Sequence, residues 1–93
     1  MSLWQWQGDV GHGVTDINFS FPSAGIVNRH SFVLANICEV SAPQGEPLDF
    51  PFQGDATMEI HNIVPKDDGT LSIRTEVDWD NDLNCRIQIF VFD

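Results

Sequence analysis

An acidic run near the carboxyl end of the chain carries the residues best suited to binding a cation. The segment EVDWDNDLNC places Asp78, Asp80 and Asp82 at alternate positions. Three carboxylates this close repel one another unless water or a cation separates them, and calcium takes oxygen ligands of this type. The spacing matches the opening of an EF-hand loop, but the positions that need Gly and Glu hold Leu83 and Ile89. The EF-hand motif is therefore absent, and any calcium site here requires another geometry.

The preferred interpretation of the same run is a solvated bend between two strands. In an extended strand, residues two apart lie roughly 6.5 Å apart on one face, whereas calcium holds its oxygens at about 2.3–2.6 Å. A straight strand therefore cannot converge the three carboxylates on one ion. Val77 and Trp79 alternate with the acidic residues, so we expect both to face inward. The two alternatives are an acidic contact surface and a Ca²⁺-dependent binding module built on Asp78, Asp80 and Asp82.

A pair of tryptophans near the amino end is a second candidate site. In the segment LWQWQGD, Trp4 and Trp6 share one face of an extended stretch. Exposed indoles on a strand stack on the apolar faces of sugar rings, while nearby polar groups bind the hydroxyls. The residues Trp4, Trp6, Asp9 and His12 therefore predict a small carbohydrate-binding module that takes a glycan. The preferred interpretation is that both indoles pack into the core or into a subunit interface, with the glycan site as the alternative.

Catalytic and zinc-binding motifs are missing from the sequence. The three histidines, His12, His30 and His61, have no metal-like spacing, and no CxxC, HExxH or GxSxG occurs. Cys38 and Cys85 fall at apolar strand positions, where a thiol is inert, and we expect both to be reduced rather than bonded to each other. The sequence therefore predicts a protein that is not an enzyme and has no cofactor, with Ca²⁺ as the exception noted above.

Composition and charge exclude several classes of partner. The chain has four Lys and Arg against fourteen Asp and Glu, a net charge of −10. Nucleic-acid binding needs clustered basic residues, and anionic membrane surfaces repel such a chain, so neither is an expected partner. No stretch approaches the roughly 20 apolar residues of a membrane span, and the amino end does not resemble an export signal. A cytoplasmic location is the expectation, although a mature secreted or virion domain gives the same pattern.

The elements that position these residues are short strands. Apolar and polar residues alternate with a period close to two in several segments, which is typical of half-buried strands: VTDINFSF, TLSIRTEVDW and CRIQIFVF. The segment from Met58 to Val77 predicts a hairpin whose turn contains Gly69. In the run HSFVLANICEV the apolar residues stand consecutively, which fits either a strand buried on both faces or a short core helix. Its β-forming residues favour a central strand. Residues 41–55 form a long loop that we expect to cross one end of the fold and to plug it with phenylalanine side chains.

These features predict one all-β domain over residues 1–93. Six to seven short strands with turn signals between them are typical of a small antiparallel β-sandwich, jelly-roll or immunoglobulin-like, with a barrel as the alternative. The surplus of apolar side chains on a second face predicts a non-catalytic binding or assembly module that acts by self-association as a homo-oligomer. The expected interface residues are Phe50, Phe52, Phe90 and Phe92, together with the two indoles near the amino end.

Overall fold

The chain folds into seven β-strands arranged as two antiparallel sheets. The computed structural model describes residues 1–21 and 25–92, and in these ranges it contains strands, turns and bends. The strands are β1 (Ser2–Asp9), β2 (Gly13–Ser20), β3 (Phe32–Ser41), β4 (Phe50–Phe52), β5 (Thr57–Pro65), β6 (Thr70–Asp78) and β7 (Asn84–Phe92). The prediction of a small all-β protein is confirmed. None of the described residues forms a helix with the length and hydropathy that a membrane span requires.

The strand order separates the chain into a first sheet of four strands and a second sheet of three. The first sheet has the order β1-β7-β3-β4, and the second has the order β2-β6-β5. Every neighbouring pair is antiparallel. In antiparallel sheets with one covered face, side chains alternate between the core and the solvent. Each sheet therefore has an inner face toward the other sheet and an outer face away from it.

The core lies between the two sheets and is built mainly from β6 and β7. The inward side chains of these strands are fully or almost fully buried, as their period-two pattern predicts. Each fully buried aliphatic side chain of this size contributes about 1.5–3 kcal/mol relative to an exposed one. The buried residues of the two strands are Leu71, Ile73, Thr75, Val77, Cys85, Ile87, Ile89 and Val91.

The predicted hairpin between β5 and β6 is present, with one irregularity in its ladder. The turn closes with hydrogen bonds from Lys66 N to Thr70 O at 3.0 Å and from Gly69 N to Lys66 O at 3.1 Å. Gly69 has a φ of 86°, a conformation that glycine adopts without steric cost. The pairing register shifts between Ile60 and Asn62, which marks a β-bulge at His61.

The long loop crosses one end of the outer face of the first sheet. Polar contacts, rather than aromatic side chains, hold it there. The Gln7 side chain donates to Leu48 O at 2.8 Å, and Arg86 Nη2 donates to Asp49 Oδ1 at 2.7 Å. Arg86 Nε also donates to Gln7 Oε1 at 2.7 Å, which links the two anchors. The main chain and carboxylate of the loop thus satisfy polar groups of the sheet at this end.

The phenylalanines of this loop do not plug the fold. Phe50 and Phe52 belong to β4, a three-residue strand at the sheet edge, and are 42% and 44% exposed. An edge position is the one where Pro51 is tolerated, because its missing N–H faces away from the ladder. The plug expectation is therefore wrong.

The prediction for the apolar run HSFVLANICEV is correct in its position and wrong in its burial. Strand β3 lies between β7 and β4, so it is central in the first sheet. Val33, Ala35 and Ile37 pack against the core. Phe32 and Leu34 point to the outer face and are 77% and 61% exposed. The reason is that the second sheet covers only one face of the first.

Candidate functional site

An apolar patch occupies one end of the outer face of the first sheet. Leu3, Phe90 and Leu34 are cross-strand partners that form one row over β1, β7 and β3. Phe92 and Phe32 are partners in the next row. All five are exposed, from 38% for Phe90 to 77% for Phe32. Contiguous exposed apolar side chains of this kind mark contact sites on proteins in water.

The antiparallel register explains why the five side chains are contiguous. Directly opposed residues in an antiparallel pair share a face, and residues two apart on one strand share it as well. Phe90 and Phe92 are therefore neighbours along β7, with ring centroids 6.4 Å apart and an interplanar angle of 19°. This near-parallel arrangement presents one apolar surface rather than separate rings.

The row of side chains beside the patch is polar but uncharged. Gln5, Gln88 and Asn36 are opposed across β1, β7 and β3. Gln88 Nε2 donates a hydrogen bond to Gln5 Oε1 at 3.1 Å. We call the patch together with this amide row the neutral face: Leu3, Gln5, Phe32, Leu34, Asn36, Gln88, Phe90 and Phe92. No formal charge lies on these side chains, in a chain whose net charge is −10.

The outer face of the second sheet has the opposite character. Asp16 and Arg74 are cross-strand partners, with Arg74 Nε donating to Asp16 Oδ1 at 2.8 Å. This hydrogen bond holds the pKa of Asp16 below its ordinary value of 3.8. Glu59, His61 and Glu76 lie near one another on the same sheet. The two outer faces therefore differ: one is charged, and the other is neutral around the apolar patch.

The predicted tryptophan pair lies on the inner face of the first sheet. Trp4 packs edge-on against Phe21 with centroids 5.0 Å apart, and Trp6 packs edge-on against Phe19 at 6.1 Å. Both indoles also contact the buried core. Trp4 Nε1 is buried and has no acceptor among the described residues. The structure supports the packing interpretation, since the indoles do not form an exposed platform for a sugar ring.

The other two residues of the predicted glycan site lie at one end of the sheets, with Asp9 ending β1 and His12 in the turn that follows. His12 Nδ1 is 2.6 Å from Asp82 Oδ1, across 70 positions of sequence. Asp9 Oδ1 accepts a hydrogen bond from Gly11 N at 2.7 Å. The structure thus joins a residue predicted for glycan binding to one predicted for calcium binding. It does not bring Trp4 and Trp6 to the surface where His12 contacts Asp82.

The acidic run forms an exposed bend, as the preferred interpretation predicts. Asp78 ends β6, and the bend that follows exposes Asp80 and Asp82. Trp79 N donates to Val77 O at 3.0 Å. Trp79 is 41% exposed, so the expectation that it faces inward is wrong. The inward row of β6 ends at Val77, because the chain turns directly after the strand.

The three carboxylates of this run do not converge. Within residues 1–21 and 25–92, the one group of three metal-ligating side chains with closely spaced donor atoms consists of Glu59, His61 and Glu76. Calcium binding by Asp78, Asp80 and Asp82 stays a prediction, and it requires a rearrangement of the bend.

The structure divides the four phenylalanines predicted for an interface. Phe90 and Phe92 lie in the apolar patch, whereas Phe50 and Phe52 lie on β4 at the far edge of the sheet. Sequence reasoning missed three residues of the patch, Leu3, Phe32 and Leu34. The sequence contains a signal for each of them. Phe32 and Leu34 belong to the apolar run that predicts burial on both faces, and Leu3 lies on the opposite side of its strand from Trp4 and Trp6.

The two cysteines are free and occupy opposite faces of the first sheet. Cys38 is opposed to Arg86 on the outer face, and Cys85 is opposed to Glu39 in the next row. Burial raises the pKa of the Cys85 thiol to about 11, and the negative charge of Glu39 contributes in the same direction. Cys85 is therefore protonated at neutral pH, where a thiol is a poor nucleophile.

Fold and surfaces together define a small two-sheet antiparallel β protein with one charged outer face and one outer face that is neutral around an apolar patch. In comparisons with protein-family models, curated proteins and solved structures, the chain has no significant match.

Proposed function

We propose that the protein is a non-catalytic assembly module that self-associates, with the neutral face of one copy packed against the neutral face of a second copy. The observation that carries the proposal is the exposed patch of Leu3, Phe32, Leu34, Phe90 and Phe92. Sheets pack face to face at about 10 Å when their apposed side chains are apolar. The same face on both copies gives a two-fold dimer, the commonest form of homo-oligomer.

The area of the patch is in the range that a dimer needs. At roughly 200 Å² for a fully exposed side chain of this size, the exposed fractions amount to about 500 Å² per copy. Two copies then bury about 1,000 Å² from the patch alone, which is near the lower limit for a specific interface. Contacts between the adjoining amide rows add to this area. The size favours a reversible dimer over an obligate one.

The distribution of charge favours a second copy as the occupant of this face. Two chains of net charge −10 repel each other at long range. Apposing neutral faces brings no like charges into direct contact and leaves the charged outer faces of both second sheets in water. Gln5, Asn36 and Gln88 supply amides that both donate and accept, so each is able to pair with the same residue type in the other copy.

Two exposed aliphatic residues offer a matched test of this proposal. Leu34 lies in the patch and is 61% exposed, and Val64 lies on the outer face of the second sheet and is 47% exposed. Val64 is opposed to Ser72, so a carboxylate at position 64 has no like charge directly across the strand pair. Leu34→Glu and Val64→Glu therefore make the same change in net charge, but only the first buries a carboxylate in the proposed interface. Sedimentation velocity from low to high micromolar concentration measures the monomer–dimer equilibrium of each variant and of the parent chain.

The expected result is a concentration-dependent dimer for the parent chain and for Val64→Glu, and a monomer for Leu34→Glu. An unpaired charge in such an interface costs several kcal/mol, which is more than a weak dimer has available. A parent chain that stays monomeric at high micromolar concentration contradicts the proposal. A dimer that Leu34→Glu leaves intact contradicts the assignment of the neutral face and points to pairing at a sheet edge.

A further inference from the structure

A histidine and two glutamates form a compact group on the outer face of the second sheet, away from the neutral face. One donor atom from each of Glu59, His61 and Glu76 lies within 4.8 Å of the other two. His61 Nε2 is 2.7 Å from Glu76 Oε1 and 3.6 Å from Glu59 Oε2. The three side chains contact solvent, so an ion reaches them without any opening of the fold.

Strand alternation places the imidazole in this group. Glu59 is directly opposed to Glu76 across the β5–β6 pair. His61 lies two residues after Glu59 on β5, and alternate residues of a strand point to the same face. The imidazole therefore lies on the outer face with the two carboxylates.

The electrostatics of the group favour a bound cation. Two like charges directly opposed on a sheet destabilise it. In the described ranges, the arginine ion pairs go to other carboxylates, those of Asp16, Asp49 and Asp67. Among the described residues, the imidazole is the group that contacts both glutamates. A divalent cation between the three donors would offset the charge of the glutamate pair.

We propose that Glu59, His61 and Glu76 bind a divalent transition-metal ion of the Zn²⁺ type. Zinc binds imidazole nitrogen at about 2.0–2.1 Å and carboxylate oxygen at about 2.0–2.2 Å, so tetrahedral donors lie roughly 3.4 Å apart. The two distances from His61 Nε2, 2.7 and 3.6 Å, bracket this value. The nitrogen donor selects Zn²⁺ over Ca²⁺ and Mg²⁺, which take oxygen ligands. Water completes the coordination in the fourth position.

Isothermal titration calorimetry with ZnCl₂ tests this site, with a second histidine as the matched control. His12 also lies against a carboxylate, 2.6 Å from Asp82 Oδ1, but only against one. The parent chain is expected to bind one Zn²⁺, and His12→Gln is expected to bind it with the same affinity. His61→Gln and Glu76→Gln are each expected to weaken binding by about tenfold or more. CaCl₂ and MgCl₂ are expected to produce no comparable heat.

Three results overturn the proposal. They are the lack of Zn²⁺ binding by the parent chain at millimolar metal, unchanged affinity in His61→Gln, and loss of binding in His12→Gln. His12 and His61 are exposed and Glu76 is half-buried, so circular dichroism is expected to show an unaltered fold and the affinities remain comparable. The site lies on the outer face of the second sheet, so a lack of Zn²⁺ binding does not contradict the self-association proposal. Likewise, a chain that stays monomeric does not contradict the proposed metal site.

Discussion

Phe90 and Leu34 lie directly opposite each other on β7 and β3, and both side chains point away from the core. The residue that follows each of them along its strand points to the opposite face. These residues, Val91 after Phe90 and Ala35 after Leu34, face the second sheet. The first sheet is therefore apolar on both faces at this end, although only one face is covered by the described chain. This relationship is the physical basis of the proposed self-association.

Raising the ionic strength is expected to strengthen the dimer. Two chains of net charge −10 repel each other, and this repulsion is screened beyond about 10 Å at 0.1 M salt. The apolar contact itself depends little on salt. Sedimentation velocity between about 0.02 M and about 0.3 M NaCl is expected to show a dissociation constant that falls several-fold. A dissociation constant that rises with salt contradicts a neutral interface and indicates ion pairs between the copies.

Gly8→Ala is expected to destabilise the fold by about 1–3 kcal/mol, the usual cost of overpacking. A Cβ atom at Gly8 meets Trp6 Cζ2 at 2.8 Å, so the indole has to move from its place against Phe19. Urea unfolding measures the change. In a Trp6→Phe background the same substitution is expected to cost much less, because the clashing ring atoms are absent. An equal cost in both backgrounds contradicts this account of the glycine.

Trp79 is expected to account for most of the fluorescence that acrylamide quenches. Trp79 is 41% exposed, whereas Trp4 and Trp6 pack between the sheets. Trp79→Phe is therefore expected to leave an emission that is blue-shifted and weakly quenched. Trp4→Phe serves as the control and is expected to preserve the quenchable component. Strong quenching that persists in Trp79→Phe shows instead that the paired indoles are accessible, as glycan binding requires.

Alkaline pH is expected to destabilise the protein through Cys85. Its pKa in the folded chain is raised to about 11, above the ordinary value of 9.0, because burial disfavours the thiolate. The stability that this thiol contributes is fully present below pH 9 and is lost as the pH rises through about 11. The loss at pH 10.5 relative to pH 8 is expected to be about 2 kcal/mol.

Urea unfolding of the parent chain, Cys85→Ala and Cys38→Ala measures this effect. Cys85→Ala is expected to be less stable at pH 8 because it leaves a cavity, but to lose less stability between pH 8 and pH 10.5. Cys38→Ala is expected to keep the pH dependence of the parent. Equal pH dependence in all three chains contradicts the proposed role of Cys85.

The Asp16 carboxyl is expected to titrate below its ordinary pKa of 3.8, because Arg74 donates a hydrogen bond to it. A lowered pKa means that the contribution of Asp16 to stability is present above pH 3.8 and is lost as the pH falls through the folded value. NMR titration of the side-chain carboxyl measures this pKa directly. Arg74→Gln is expected to return the pKa toward 3.8 while the Asp68 pKa, which Thr70 lowers, stays unchanged. A carboxyl that already titrates at its ordinary value in the parent chain contradicts the ion pair.

Much of the fold followed from local pattern. A period of two in β2, β6 and β7 identified both the strands and the residues that face the core, because alternate side chains of a strand point to opposite faces. Gly69 and its neighbours identified the β5–β6 turn, since a turn with positive φ favours glycine. The charge of −10 and the lack of clustered basic residues also followed from sequence, because they depend on composition alone.

The candidate surface depended on which strands become neighbours. Phe90 is separated from Phe32 and Leu34 by more than 50 positions, and only the β3–β7 pairing makes them one patch. A continuous apolar run predicts a strand covered on both faces, but sequence alone does not show that the second sheet covers just one. The bulge at His61 and the contact of His12 with Asp82 likewise require the assembled sheets. Local sequence thus determined the strands and their inward faces, whereas long-range pairing decided which outward side chains meet.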